Sequence, residues 1–260
     1  VLSSVEVNAA RLLRVELATG AETVLAEESQ HDVAYVLSDP DTLEPQSVVF
    51  LAEREQWVHL DSSVGTEVDE LRARLSGEIG ISRSERTDRR WLVADTPSDG
   101  PVRYYVYDRD DTSLTFLFAH KPALDEYELA VMEPFSFQAR DGLTIHGYVT
   151  YPRGVEPVAL PAVVNVHGGP WHRDVWGFDP EAQWLANRGY ACVQVNYRGS
   201  TGYGKAFGNA GDREWGRAMH SDLLDAVDHL VVEGRIDADR LGIYGGSYGG
   251  YAALVGATFT

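Results

Sequence analysis

Apolar and polar positions follow two different rhythms along these 260 residues. Up to about Lys121, short apolar runs alternate with turn-forming residues. "RLLRVELATGAETVLAEE" sets two such runs on either side of Ala18-Thr19-Gly20, which predicts a hairpin. "DVAYVLSDPDTLEPQSVVFLAE" repeats the theme around an Asp/Pro-rich loop, and "RRWLVADTPSDGPVRYYVYDRDDTSLTFLFAH" predicts three more strands parted by "PSDG" and "DRDD". One stretch, Gly65 to Gly77, instead carries apolar residues at Val68, Leu71 and Leu75, the spacing of a helix. Turn signals at these intervals suit an all-β propeller, sandwich or barrel.

Beyond residues 121–133 the rhythm changes. "LTIHGYVTYP" reads as a strand after an Asp141-Gly142 turn, "LPAVVNVHGG" as a strand buried on both faces, "ACVQVNY" as another buried strand and "DRLGIYGG" as a third apolar strand. Between them "DPEAQWLANRGY" predicts a helix from Asp179-Pro180 to Gly189. "SDLLDAVDHLVVEGR" predicts another, with Ser221 as N-cap and Gly234 as the stop. "SYGGYAALVGATF" turns from the last strand straight into a helix. Strand and helix in alternation predict a parallel α/β sheet. The expected domains are therefore residues 1–125, all-β, and 126–260, α/β.

Composition narrows the function. A hydrophobic fraction of 44% supports sizeable cores. A formal charge of −18 argues against nucleic acid, whose phosphates need basic surface, and no apolar run is long enough for a membrane-spanning helix. The lone cysteine, Cys192, lies in "YACVQV" and reads as a buried, inert thiol. Neither a cofactor nor a metal is expected: His167 and His172 lack the partners of a zinc motif, and His220 and His229 read as surface or satisfied side chains.

The chemistry gathers at "IYGGSYGGY", Ile243 to Tyr251. Gly-x-Ser-x-Gly between a strand and a helix is the pattern of a nucleophile elbow, a sharp turn that exposes the serine hydroxyl. Ser247 is the candidate nucleophile. Gly245 and Gly249 are expected to remove Cβ atoms that would collide as strand and helix approach. A glycine-rich turn with an incidental serine is the plainer alternative. "NVHGGPWHRD" follows a strand where backbone N–H groups could meet a developing oxyanion. The amides of Tyr248 and Gly169 are the candidate donors, with His167 and Gly168 shaping the loop. Trp171/Trp176 and Tyr197/Tyr203 could border a pocket or simply pack the core.

"HGGPWHRD", "QWLANRGYACVQVNYRGSTGYGKAF", "GDREWG" and "GGSYGGY" together resemble the prolyl oligopeptidase family of serine peptidases, "NYRGSTGYG" most of all its acylaminoacyl-peptidase and dipeptidyl-aminopeptidase-like branch. "ARDGLTIHGYVTYP" resembles the start of that family's catalytic domain. The resemblance implies an α/β-hydrolase domain preceded by a β-propeller that admits small peptides. It also implies Ser247 as nucleophile and the Tyr248 and Gly169 amides as oxyanion hole. Some relatives use a tyrosine hydroxyl for that oxygen; "HGGP" here favours the glycine amide. Arg198, in "NYRGS", is expected to shape the site rather than react. In this fold the acid and histidine follow the serine, yet "YGGYAALVGATFT" contains neither. The chain thus reads as a fragment of a peptidase, cut at both ends, inefficient and poorly folded alone. A carboxylesterase, or a propeller-based interaction protein on a dead hydrolase, are the competing readings. Short peptides are the expected substrates and a homo-oligomer is possible. Exo- versus endopeptidase action stays open, as does the compartment, with the cytoplasm favoured.

Overall fold

The computed structural model describes residues 1–83 and 87–260. The chain divides into two compact units, Val1–Glu128 and Leu129–Thr260.

The first unit is built from antiparallel meanders. β1 (Leu2–Ser3), β2 (Arg11–Val15) and β3 (Glu22–Ala26) form one sheet. β4 (Val33–Ser38), β5 (Pro45–Leu51) and β6 (Glu55–His59) form a second. Helix α1 (Ser62–Arg74) follows, and then β7 (Glu78–Arg83), β8 (Arg90–Thr96), β9 (Arg103–Asp108) and β10 (Ser113–Ala119) in the order β10-β9-β8-β7. The predicted helix is present but starts three residues earlier, because the Asp61 carboxylate accepts from the Ser63 and Val64 amides and caps it. Its buried Val64, Val68 and Leu71 pack with Leu37, Ile79, Trp91 and Tyr107 into one apolar core. β6 and β7 escaped the sequence reading, since "EQWVH" and "EIGISR" mix charges into short alternating runs.

A 3-10 turn, Pro122–Glu126, closes this unit. The second unit holds β11 (Met132–Gln138), β12 (Thr144–Thr150), β13 (Leu160–Val166), α2 (Pro180–Ala186), β14 (Ala191–Asn196), α3 (Gly204–Asn209), α4 (Ala218–Val232), β15 (Ile236–Gly245) and α5 (Tyr248–Phe259). The sheet order is β11-β12-β14-β13-β15. It is mixed rather than wholly parallel: β13 runs parallel to β14 and β15, whereas β11–β12 and β12–β14 are antiparallel. The Asp141-Gly142 turn joins β11 to β12 directly, with Gly142 at φ 86°, and a two-strand hairpin can only be antiparallel. Val164, Val166, Val193, Val195, Met219, Leu223 and Ala252 form the core between sheet and helices.

Helix α4 corrects a second expectation. It begins at Ala218 with Arg217 before it, so Ser221 lies one turn inside and caps nothing. Gly234, at φ 73°, does end it. His220 is buried, bonding Thr260 through Nε2 at 3.1 Å, and is not a surface residue.

Arg198 ties this frame together. Its Nε and Nη2 donate to Asp222 on α4 at 2.9 and 2.8 Å, and its Nη1 donates to Asp141 in the β11–β12 turn at 2.7 Å. Burial pushes the Asp222 carboxyl above its usual range despite the guanidinium, which holds the more exposed Asp141 below it. Arg140 pairs with Asp225 one turn further along α4, but its side chain is 57% exposed. Removing one partner of a buried pair strands the other charge, whereas an exposed pair contributes little. Arg198→Ala is therefore expected to cost about 3–5 kcal/mol in urea unfolding and Arg140→Ala less, since Asp222 is fully buried whereas Asp225 keeps 10% of its side chain exposed. Equal losses would show that Asp222 is not stranded.

Candidate active site

β15 ends at Gly245 and α5 begins at Tyr248, leaving Gly246 and Ser247 to turn the chain. Ser247 carries the turn at φ 54°, ψ −120° and is exposed. A non-glycine residue at positive φ costs about 1–3 kcal/mol, held only where the surroundings fix it. Here the fixing is steric. A Cβ on Gly249 would lie 2.0 Å from the Val166 carbonyl oxygen, and one on Gly245 2.6 Å from the same atom. Strand β13, the elbow and α5 thus meet at a point that admits no side chain. Gly246, by contrast, has open space where a Cβ would be.

The next residues after Val166 complete the site. A Cβ on Gly168 would lie 3.4 Å from Ser247 Cβ and 4.0 Å from its Oγ, so the "HGGP" loop runs directly beside the hydroxyl. Gly169 takes φ 115°, a conformation glycine alone adopts easily. Tyr248 is the first residue of α5, where backbone N–H groups lack intrahelical acceptors. Among the described residues Ser247 Oγ makes no side-chain hydrogen bond, so the groups gathered here are a hydroxyl and main chain, without a base.

His167 holds the loop from beneath. It is buried, its Nδ1 lies 2.8 Å from the Gly168 carbonyl oxygen, and its Nε2 lies 3.1 Å from Ser200 Oγ. The ring stacks on Tyr197 at 4.4 Å between centroids, and the Tyr197 hydroxyl donates to the His167 carbonyl at 2.9 Å. The loop's far end is clamped too. Asn196 Oδ1 accepts from the Asp174 amide at 2.7 Å, and Asn196 Nδ2 donates to the Asp174 carbonyl at 3.0 Å. Arg173 donates to the Tyr203 hydroxyl at 2.7 Å and covers that ring at 4.2 Å. Tyr197 and Tyr203 are thus buried supports. Trp171 is 67% exposed on the same loop, while Trp176 donates to the Met132 carbonyl. Asn196 and Ser200 were missed in the sequence. Ser200 lies 33 residues from His167, and no local spacing links them.

A profile of the prolyl oligopeptidase family matches residues 176–260. The chain is 41% identical over 260 residues to dipeptidyl aminopeptidase BIII of Pseudoxanthomonas mexicana, covering 97% of this chain and 38% of that protein. The chain belongs to the prolyl oligopeptidase family. Dipeptidyl peptidase family member 6 of Caenorhabditis elegans is 42% identical over 206 residues, 71% of this chain and 28% of that protein. Among solved structures, puromycin hydrolase aligns with TM-score 0.71 at 25% identity over 97% of this chain and 40% of its own. The acylaminoacyl peptidase of Pyrococcus horikoshii aligns at TM-score 0.67 and 21% identity over 97% of this chain and 39% of its own. The chain thus spans well under half the length of these family members.

Burial sets the electrostatics beneath the loop. It pushes the His167 ring down to about 4, and burial with Asp179 nearby pushes the Asp174 carboxyl up to about 7. A free histidine titrates near 6.5, so between about 6.5 and about 4 the unfolded chain takes a proton that the fold refuses. His167 therefore lowers stability as pH falls through that window. Asp174 acts oppositely, since the fold holds its proton up to about 7 and loses stability as pH rises toward that value. The two slopes mask one another in the wild type and separate by substitution. The stability advantage of wild type over His167→Asn is expected to shrink by about 2 kcal/mol from pH 7.5 to pH 4.5 in urea titrations. A pH-independent difference would contradict the buried neutral ring.

Proposed function

We propose that Ser247 is the nucleophile of a serine peptidase that cleaves short peptides through an acyl-enzyme. The observation that carries this reading is the exposed serine at φ 54° between β15 and α5, with the Gly168 backbone packed against it. In this reading the second unit is part of an α/β-hydrolase domain and the meanders of the first are part of a β-propeller. The alignments with puromycin hydrolase and acylaminoacyl peptidase support it.

Ser247 Oγ attacks the scissile carbonyl while a histidine takes its proton. The former carbonyl oxygen gains negative charge and receives hydrogen bonds from the Tyr248 and Gly169 amides. Losing one such donor typically slows a reaction about 100- to 1,000-fold. The histidine then protonates the leaving amine, and water releases the acid from the ester. The triad histidine and acid belong to sequence outside residues 1–260. Ser247 Oγ has no histidine partner among the described residues, and the chain spans 38% of its relative's length. Relatives named as dipeptidyl and acylaminoacyl peptidases support peptides as substrates.

The complete protein carrying this sequence is expected to label with a fluorophosphonate probe, and Ser247→Ala to abolish the labelling. It is also expected to cleave short peptide amides, a reaction that demands protonation of a poor leaving group and that activated p-nitrophenyl esters do not test. Undiminished labelling of the variant would remove the nucleophile, and turnover of esters with no cleavage of peptides would turn the reading toward an esterase.

A further inference from the structure

The two candidate oxyanion donors come from different segments of the chain. Gly169 follows β13, and Tyr248 opens α5. Two amides can serve one oxygen only while the separation of those segments is held, because donors fixed in advance are what stabilise the charge. Main chain holds it at one place, where the Val166 carbonyl meets Gly245 and Gly249. Side chains hold it at a second place, through Tyr197, the residue after β14.

The Tyr197 ring touches both segments. Its first contact is with His167: the rings lie 4.4 Å apart between centroids and within 14° of parallel. His167 Nδ1 in turn sits 2.8 Å from the Gly168 carbonyl oxygen, whose planar peptide carries the Gly169 N–H. The Tyr197 hydroxyl has one hydrogen, which goes to the His167 carbonyl at 2.9 Å in preference to Nδ1 at 3.3 Å. The second contact is with Tyr248, whose ring lies 5.1 Å away at 32°. Trp215 also closes on Tyr248, edge-on at 4.9 Å. The Tyr248 hydroxyl is buried with no hydrogen-bond partner among the described residues, so ring contacts and not a polar bond hold that side chain.

A spacer must itself be immobile. Tyr197 is fully buried. Its carbonyl accepts from the Ser200 hydroxyl at 2.6 Å and from the Ser200 amide at 3.0 Å. The next amide, that of Arg198, donates to Asp222 at 2.9 Å. The main chain carrying the ring is thus tied to its own turn and to α4. Rings already at contact distance do not compress further.

We propose that Tyr197 is a positioning residue: its ring is the spacer that sets the separation of the Gly169 and Tyr248 N–H groups. Being fully buried, it does not touch substrate. The inference rests on the reading of those two amides as oxyanion donors. It adds a residue that lies in neither the elbow nor its loop.

Kinetics of the complete protein test it. Tyr197→Leu removes the flat face and is expected to lower kcat about tenfold, with KM unchanged within about twofold. The affinity of a peptidyl trifluoromethyl ketone, whose adduct oxygen mimics the oxyanion, is expected to fall by the same factor. Tyr197→Phe keeps the ring and is expected to hold kcat within about threefold of wild type. Should Tyr197→Leu fail to fold, Tyr197→Met fills most of the volume without a flat face and carries the same expectation. Unchanged kcat and ketone affinity in either variant overturn the spacer and leave the two amides in place. Equal losses in Tyr197→Phe overturn it as well, by assigning the effect to the hydroxyl. A loss of kcat/KM that lies in KM overturns it too, since substrate binding and not the transition state would then have suffered. If wild type binds the ketone no more tightly than the matching peptide alcohol, the oxyanion reading itself fails, and the spacer with it.

Discussion

The Val166 carbonyl oxygen occupies the space that a side chain on residue 249 or 245 would need. Everything proposed for this site depends on that close approach. In the parallel register Val166 stands opposite Gly245, so the last residue of β13 touches the last residue of β15 and the first turn of α5 together. Because β13 ends there, its next residues, His167 and Gly168, emerge beside Ser247. One backbone contact thus sets the elbow and brings the candidate oxyanion loop to it. The positive φ of Ser247 is the conformational cost of that geometry, offset by the packing of α5 through Tyr248, Ala252 and Val255.

Around that point the fold holds the loop with hydrogen bonds from the neighbouring segment. The loop from His167 to Asp174 lies against the segment from Asn196 to Tyr203 through side-chain and main-chain bonds at both ends. The Thr201 amide adds a bond to the His172 carbonyl at 3.0 Å between them. The supporting segment is in turn anchored by Arg198 to Asp222 and Asp141. The side chains of Asn196, Arg198, Ser200 and Tyr203 are buried, so a partner lost there costs a full desolvation penalty and not a solvent-exchanged bond. Rigidity of this kind is what a preorganised anion site needs, because donors that must reorient during the reaction stabilise less.

Much of this was legible in the residues. Gly-x-Ser-x-Gly between an apolar strand and a helix specifies the elbow because only glycine tolerates the crossing. "HGGP" after a buried strand marks a loop where main chain is presented. The strands of "LPAVVNVHGG" and "ACVQVNY" were readable as continuous apolar runs. What stayed hidden was long-range. The antiparallel start of the sheet follows from a five-residue connection, residues 139–143, whose partner strand, "MEPFSFQ", carries a proline and a glutamate that blur its period. Helix α4 starts before Ser221 because Arg217 through His220 are drawn in by tertiary packing of Met219 and His220, which outweighs a good capping residue. The support of His167 by Ser200 is a contact of tertiary structure alone.

The most direct test of the account is a crystal structure of the complete protein after reaction with a peptidyl trifluoromethyl ketone. A covalent bond from Ser247 Oγ to the ketone carbon is expected, with the adduct oxygen about 2.7–3.1 Å from both the Gly169 and Tyr248 backbone nitrogens. An adduct on any other residue, or an oxygen turned to solvent away from those two amides, would contradict it.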